Sequence, residues 1–123
     1  MTQPSAMVLY VEDVERSGAF YGKLFGLEPV AASPNFRAFE FPSGLRLGMW
    51  ARRMAEPMAI MTGGGAEIVL PVASYDEVDA THQDWRGRGL NIVQRPTTMD
   101  FGRTFLAIDP DGHRLRVFAE RTH

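Results

Sequence analysis

The sequence of 123 residues contains no cysteine, which excludes disulfide bonds, thiolate zinc sites and a cysteine nucleophile. It has no apolar run close to the ~20 residues that a membrane-spanning helix needs. The N-terminal segment MTQPSAMVLYVED shows no charged region followed by a long apolar stretch, so no signal peptide is expected. There is no basic excess either, because the formal net charge is -2. We therefore expect a cytoplasmic protein with neither nucleic acid nor membrane as a partner.

A weak internal repeat organises the chain. The hydrophobic fraction of 45% suits one compact domain covering residues 1–123. When Val8 is superposed on Val69, Asp13 falls on Ser74 and the two halves run in parallel. A two-fold repeat of about 60 residues indicates two similar modules rather than a solenoid. The predicted boundaries are 5–50 for module one, 51–65 for a linker and 66–120 for module two.

Each module reads as a strand, a helix and three further strands. Asp13 is the predicted N-cap of the first helix, and Gly26 ends it. Ser74 to Glu77 forms an S-x-x-E capping box before the second helix, which ends at Gly89. The three strands that follow each helix are predicted at 28–31, 36–41 and 45–50 in module one, and at 91–95, 103–108 and 114–118 in module two. The pattern is βαβββ twice.

Two motifs resemble a known family. The run V-x-D-V-x-R-S-x-x-F-Y at 11–21 and the D-P-D-G-H turn at 109–113 are similar to the vicinal oxygen chelate superfamily, which includes glyoxalase I, extradiol dioxygenases and bleomycin-resistance proteins. The segments FGRTFLAIDPDGHRLRV and LRLGMW look most like phenazine-antibiotic resistance proteins, which bind their drug without known chemistry. The resemblance implies an α+β fold in which two βαβββ modules form an incomplete eight-stranded barrel. It also implies a homodimer with a cleft built from module one of one chain and module two of the other.

The resemblance allows a test for a metal site. Metal-dependent members place one ligand on the first and one on the last strand of each module, and these positions correspond to Ala6, Gly48, Glu67 and Arg116. Ala6 and Gly48 offer no donor atom, and the protonated guanidinium of Arg116 has no lone pair to give. We therefore expect no metal and no cofactor, with Arg116 in the metal's place as the partner of Glu67 in a cleft ion pair. The alternative is that both side chains point to solvent.

Aromatic residues in module one are the first ligand-binding candidates. Trp50 lies two residues from Gly48 on one strand face, so its indole could stack on an aromatic ligand beside a slot left by the glycine. Phe39 and Phe41 share one face of their strand. They either line the cleft or fill the core.

Five further residues complete the predicted ligand site. Phe101 could close over a bound aromatic ring, and Gly102 could allow the backbone to come close to that ring. Alternatively, both residues anchor a loop. Met54 belongs to a methionine-containing linker that forms either a flap over the pocket or a dimer contact. Arg46 and Arg103 could hold a ligand carboxylate through their fork of donors, or remain solvated strand-edge charges.

No set of histidine, aspartate and serine has a spacing that supports catalysis, so no catalytic residue is predicted. The leading interpretation is a metal-independent protein that sequesters a planar aromatic compound, such as a phenazine antibiotic, in a cleft at a dimer interface. One alternative is a metal-dependent lyase, isomerase or dioxygenase of the same superfamily. Two others are a scaffold domain without a small ligand and a cofactor-free enzyme that uses Tyr10, Glu67 or Arg116.

Overall fold

The computed structural model describes residues 2–121, so the two ends of the predicted 1–123 domain lie outside the described residues. The chain divides into two compact units between Gly63 and Gly64. The first contains β1 (Ala6–Val11), α1 (Val14–Phe25), β2 (Ala31–Ser33), β3 (Phe36–Glu40), β4 (Arg46–Ala51) and a short 3₁₀ helix (Arg52–Met54). The second contains β5 (Glu67–Pro71), α2 (Tyr75–Gly87), β6 (Asn91–Met99), β7 (Gly102–Ile108) and β8 (Arg114–Glu120). The predicted α+β class and the two βαβββ modules are confirmed.

The eight strands lie in two hydrogen-bonded sheets of four, with the orders β1-β4-β3-β2 and β5-β8-β7-β6. In each sheet the first and last strands of the module pair in parallel at one side, and the remaining pairs are antiparallel. This arrangement is the same in both modules, as the internal repeat predicts. Among the described residues no helix is long and apolar enough to cross a membrane.

Local sequence signals fix the helix ends. The Asp13 carboxylate accepts a hydrogen bond from the Arg16 N–H at 3.0 Å, and Gly26 ends α1 in the left-handed conformation at φ 65°. At the start of α2, the Ser74 hydroxyl accepts from the Glu77 N–H at 3.1 Å. The Glu77 carboxylate in turn accepts from the Ala73 N–H at 3.0 Å, one residue before the N-cap. The predicted caps are therefore present in both helices.

One helix covers one face of each sheet. In module one the helix-side face is apolar and fully buried at Leu47 and Met49, next to Val11 of β1. In module two the ring of Phe105 lies 5.4 Å from both His82 and Trp85 of α2, and Leu115 and Val117 are buried beside it. These layers of side chains form the core of each unit.

Two strands differ from the prediction by three residues or more at one end. The strand predicted at 28–31 begins at Ala31, because Pro29 has no N–H and ladder pairing starts only at the Val30 N–H, which donates to Ala38. The strand predicted at 91–95 continues through Pro96 to Met99. It can do so because β6 is an edge strand with register shifts on both sides of Gln94, which accommodate the proline.

Gly102 has a structural role in this fold. Its φ of 148° lies in the region that side chains avoid, and a Cβ atom there would lie 2.0 Å from the Ala119 carbonyl oxygen. The close backbone approach expected at Gly102 is thus an approach to β8 of the same sheet, and the prediction that it accommodates a ligand is corrected.

Gly102→Ala is expected to destabilise the protein more than Gly89→Ala. Gly89 also has a positive φ, of 85°, but a methyl group added there would meet open space. Strained backbone costs on the order of 1–3 kcal/mol at either position, and only Gly102→Ala adds a clash with backbone. Urea unfolding of the two variants measures the difference. Equal losses of unfolding free energy would contradict the role assigned to Gly102.

Candidate functional site

The face of each sheet opposite its helix, here named the open face, carries the chemistry of interest. In module one the register pairs Trp50 with Tyr10 on β1 and with Phe36 on β3. Because paired residues point to the same side of a sheet, these three rings form a line across the open face, named here the aromatic row. Tyr10 is 37% exposed, and Trp50 and Phe36 are half-buried.

The next line along the open face consists of small residues, with Gly48 between Val8 and Ala38. A Cβ atom at Gly48 would lie 2.8 Å from the tip of the Phe36 ring. The slot expected beside Trp50 is therefore occupied by Phe36, and the expectation of an empty slot is corrected. Gly48 brings a second aromatic ring close to the strand that carries Trp50.

Two other predicted ligand residues lie apart from the open face. Phe39 is 1% exposed and packs under α1. A Cβ atom added at Gly22 of α1 would lie 3.7 Å from the ring of Phe39. Phe41 lies just beyond β3, and its ring is 4.9 Å from Phe25 of α1 in an edge-to-face arrangement. Both rings belong to the core of module one, the second of the two roles that their pattern allowed, so the prediction that they line the site is corrected.

Arg46 does lie on the open face, at its charged end. Its Nε is 3.1 Å from the Glu40 Oε1 across the β3–β4 pair, and the two side chains are 57% and 45% exposed. An exposed pair of this kind contributes about 0–1 kcal/mol, so Arg46 retains the mobility to meet another anion.

The open face of module two is organised around Arg116. Its Nε and Nη2 donate to the two carboxylate oxygens of Glu67 at 2.6 and 2.9 Å. Its Nη1 donates to the Gln94 amide oxygen at 3.0 Å and to the Thr104 hydroxyl at 3.1 Å. These four side chains, named here the Arg116 network, engage four of the five N–H donors of the guanidinium.

Electrostatics keep this pair ionised. The hydrogen bond from Arg116 lowers the pKa of Glu67 against a smaller opposing effect of burial, and the charges of Arg116 and Arg114 lower it further. The same hydrogen bond raises the pKa of Arg116. Arg114 adds a looser contact, with its Nη1 3.4 Å from Glu67. The network is thus an ionised salt bridge with one additional cation beside it.

The four positions tested for metal ligands are related by the same geometry in both modules. Ala6 is in register with the residue two before Gly48, and Glu67 is in register with the residue two before Arg116. The two pairs therefore occupy equivalent diagonals on the open faces. Neither diagonal fits a metal, because the first has no donor atoms and the second has both carboxylate oxygens bonded to a cation. Within residues 2–121, no group of three or more His, Cys, Asp or Glu side chains is arranged to hold a metal ion.

Arg103 is on the helix side of its sheet, away from Arg116. Its Nε lies 2.9 Å from the Asp79 carboxylate of α2, and its Nη1 donates to the Thr98 hydroxyl at 2.9 Å. Arg103 therefore does not face the open side of its sheet, and the prediction that it holds a ligand carboxylate in the cleft is corrected. Phe101, by contrast, is 47% exposed and its ring lies 5.6 Å from that of Phe118 on the open face.

The linker presents Met54 on the surface. Arg52 fixes the segment, since its Nε is 2.5 Å from Glu12 and its Nη1 donates to the Ala59 carbonyl at 3.0 Å. Met54 is 55% exposed and Ile60 is 81% exposed. The linker is therefore an anchored segment with apolar side chains directed outward.

Four residues of the open faces were not predicted as binding residues: Tyr10, Phe36, Gln94 and Thr104. Tyr10 and Phe36 carry a usable signal, because they alternate with the buried residues of their strands. Gln94 and Thr104 carry none, because their role depends on the register of β6, β7 and β8.

Comparison with known proteins identifies the family. Residues 3–117 match the model of the Glyoxalase/Bleomycin resistance protein/Dioxygenase superfamily, and the chain belongs to that superfamily. It is 34% identical over 117 residues to the phenazine antibiotic resistance protein EhpR of Enterobacter agglomerans, covering 93% of this chain and 89% of that protein.

Solved structures agree with this assignment. The solution structure of protein ATC0852 from Agrobacterium tumefaciens is 43% identical, with a TM-score of 0.91 over 99% of this chain and 100% of that chain. A glyoxalase-related enzyme from Fulvimarina pelagi has a TM-score of 0.82 at 22% identity, over 98% of this chain and 89% of that chain. The latter likeness shows the fold.

Glu67→Gln is expected to lower the free energy of unfolding by about 1.5–3 kcal/mol at neutral pH, because it weakens a charge-assisted hydrogen bond. Since the folded-state pKa of Glu67 is lowered, its contribution is present above the unfolded-state pKa and is lost as pH falls through the folded-state pKa. The stability difference between wild type and Glu67→Gln should therefore shrink on acidification below pH about 4.5.

Denaturant unfolding across the acidic range measures this difference, with Glu40→Gln as the matched control from the exposed pair with Arg46. A loss for Glu67→Gln no larger than that for the control would show that the Arg116 network contributes little to stability.

Proposed function

We propose that this protein binds a planar aromatic small molecule without a metal and confers resistance to an antibiotic, such as a phenazine, by sequestering it in the cytoplasm. The observation that carries the proposal is the aromatic row, in which Tyr10, Trp50 and Phe36 lie side by side on an open sheet face. The relationship to a phenazine antibiotic resistance protein supports the choice of ligand class.

The aromatic row has the chemistry of a stacking surface. An indole offers a large polarisable face, and aromatic pairs contribute about 0.5–1.5 kcal/mol beyond the burial of their area. The ring of Phe36 covers Gly48 beside Trp50, so a flat ring system would contact aromatic side chains there and not the glycine. Shape and stacking then select a planar compound, and polar groups nearby fix its orientation.

The Arg116 network supports the metal-independent part of the proposal. Superfamily members that bind metal need donor atoms at positions that Ala6, Gly48 and Arg116 occupy in this chain. The remaining candidate, Glu67, has both oxygens bonded to Arg116 at 2.6 and 2.9 Å. A protein that captures one drug molecule per site needs affinity for the drug but no group that reacts with it. The aromatic and hydrogen-bonding side chains of the open faces can supply such affinity.

Trp50→Ala is expected to weaken the binding of phenazine-1-carboxylate about tenfold or more, which corresponds to about 1.4 kcal/mol. The reason is that the variant removes the central ring of the aromatic row. Isothermal titration calorimetry in EDTA measures this affinity directly and needs no intrinsic fluorophore.

Trp85→Phe is the matched control, because Trp85 is 5% exposed and packs on Phe105 in the core of module two. In that variant Trp50 is the sole tryptophan, so ligand-dependent quenching reports on the proposed site. Binding that is absent in EDTA and restored by a divalent cation would reverse the proposal in favour of a metal-dependent enzyme.

The proposal includes a homodimer in which open faces of both copies contribute to the site. Its support is the exposed apolar surface on those faces, where Val8 is 47% and Val69 is 53% exposed, together with the outward-facing Ile60 and Met61 of the linker at 81% and 69%. Apolar side chains exposed in such number usually mark a contact surface.

Light scattering after size-exclusion chromatography is expected to give a mass twice that of the 13.7 kDa chain. Val69→Asp should shift the population toward monomer, because it buries a charge in the interface. Glu15→Gln, a change on the first turn of α1, serves as the control. A monomer at every concentration that still binds the aromatic compound would remove the dimer from the proposal and leave the aromatic row intact.

A further inference from the structure

A separate cavity lies on the helix side of module two, between α2 and the edge strand β6. Its volume is about 910 Å³, and residues from both elements line it. Within its sheet β6 is the edge strand, so no strand pairs with its outer side there. The Arg103–Asp79 pair closes one end of this groove. The cavity falls within the size range of small-molecule sites, roughly 300–1,000 Å³.

The groove combines an apolar floor with a cationic rim. Leu90, Ile92 and Pro96 line it and are half-buried, which provides an apolar surface for part of a ligand. Arg86 comes from α2 and Arg95 from β6, and both line the groove and are exposed. A ligand that fits both features carries an acidic group at one end and an apolar body at the other.

The charge of the groove is opposite in sign to that of the chain. Three arginines line it against the single carboxylate of Asp79, which gives its walls two excess positive charges. The chain as a whole has a formal net charge of -2. Asp79 already pairs with Arg103 at 2.9 Å. In the described part of the chain, neither Arg86 nor Arg95 has a carboxylate partner, so the donors of both remain available.

We propose that this groove is a second binding site, distinct from the aromatic row, for a small phosphate monoester. Two unpaired guanidinium groups match the two negative charges of a phosphate monoester, and each can donate to phosphate oxygens through its planar fork. The apolar floor accommodates the short organic group of the ester. The site needs only residues of module two, and it does not depend on the function proposed for the aromatic row.

Hexyl phosphate is a suitable probe, since it has the charge and the apolar body but no aromatic ring. Titrated at low salt into isotope-labelled protein, it is expected to produce saturable shifts in the backbone amide resonances of residues 82–95. Inorganic phosphate should bind more weakly, because it leaves the apolar floor uncovered. Arg86→Gln combined with Arg95→Gln should weaken hexyl phosphate binding about tenfold or more.

The control removes two equal charges from outside the groove, by combining Arg88→Gln with Arg53→Gln. Arg88 pairs with Asp84 at 3.2 Å on α2, and Arg53 belongs to the 3₁₀ helix of module one. An equal loss of affinity in this control would show a general charge effect and overturn the proposal.

Two other results would also overturn the proposed second site. One is the absence of saturable shifts at millimolar probe, and the other is loss of the shifts in Trp50→Ala, which would place the anion on the open face of module one. Calorimetry with the aromatic compound on the Arg86→Gln and Arg95→Gln variant keeps the two sites apart. Unchanged aromatic binding there, whatever the fate of the phosphate site, leaves the function proposed above standing.

Discussion

Each module of this chain has one helix and one four-stranded sheet, and the helix packs on one face of that sheet. A sheet presents alternate residues to its two faces, so every second residue of each strand points to the open face. In module one these residues include aromatic rings and small residues, and in module two they include the Arg116 network. The chemical character of the open faces, and with it the function we propose, follows from that division.

The Arg116 network shows how polar groups can lie on such a face without leaving a buried polar atom unpaired. The Thr104 hydroxyl is fully buried; it donates to the Val117 carbonyl at 2.8 Å and accepts from Arg116. Glu67 and Gln94 supply the other acceptors, and no described buried side-chain polar atom lacks a partner. One planar cation thus satisfies acceptors from three strands, which a shorter or more flexible cation could not do.

Local signals in the sequence were sufficient to predict the N-caps of both helices and the turn at 109–113. They were insufficient wherever the answer depended on which face the helix covers. Alternation predicts that Phe39 and Phe41 share a face, but the ring contacts with α1 decide that this face is the core. Arg103 is a second case, because only the burial of Phe105 against α2 shows that the strand face shared by these two residues is the helix side. The length of β6 could not be predicted, because it depends on register shifts that no local sequence motif indicates.

Equivalent positions in the two modules carry side chains of different chemistry. Ala6 and Gly48 occupy the same diagonal in their sheet as Glu67 and Arg116 do in theirs, and the side chains of the first pair offer no donor atom. Because Gly48 has no side chain, the ring of Phe36 can lie against its strand. In module two, the guanidinium of Arg116 binds both carboxylate oxygens of Glu67. Under the function we propose, each open face recognises its ligand by shape, stacking and hydrogen bonding.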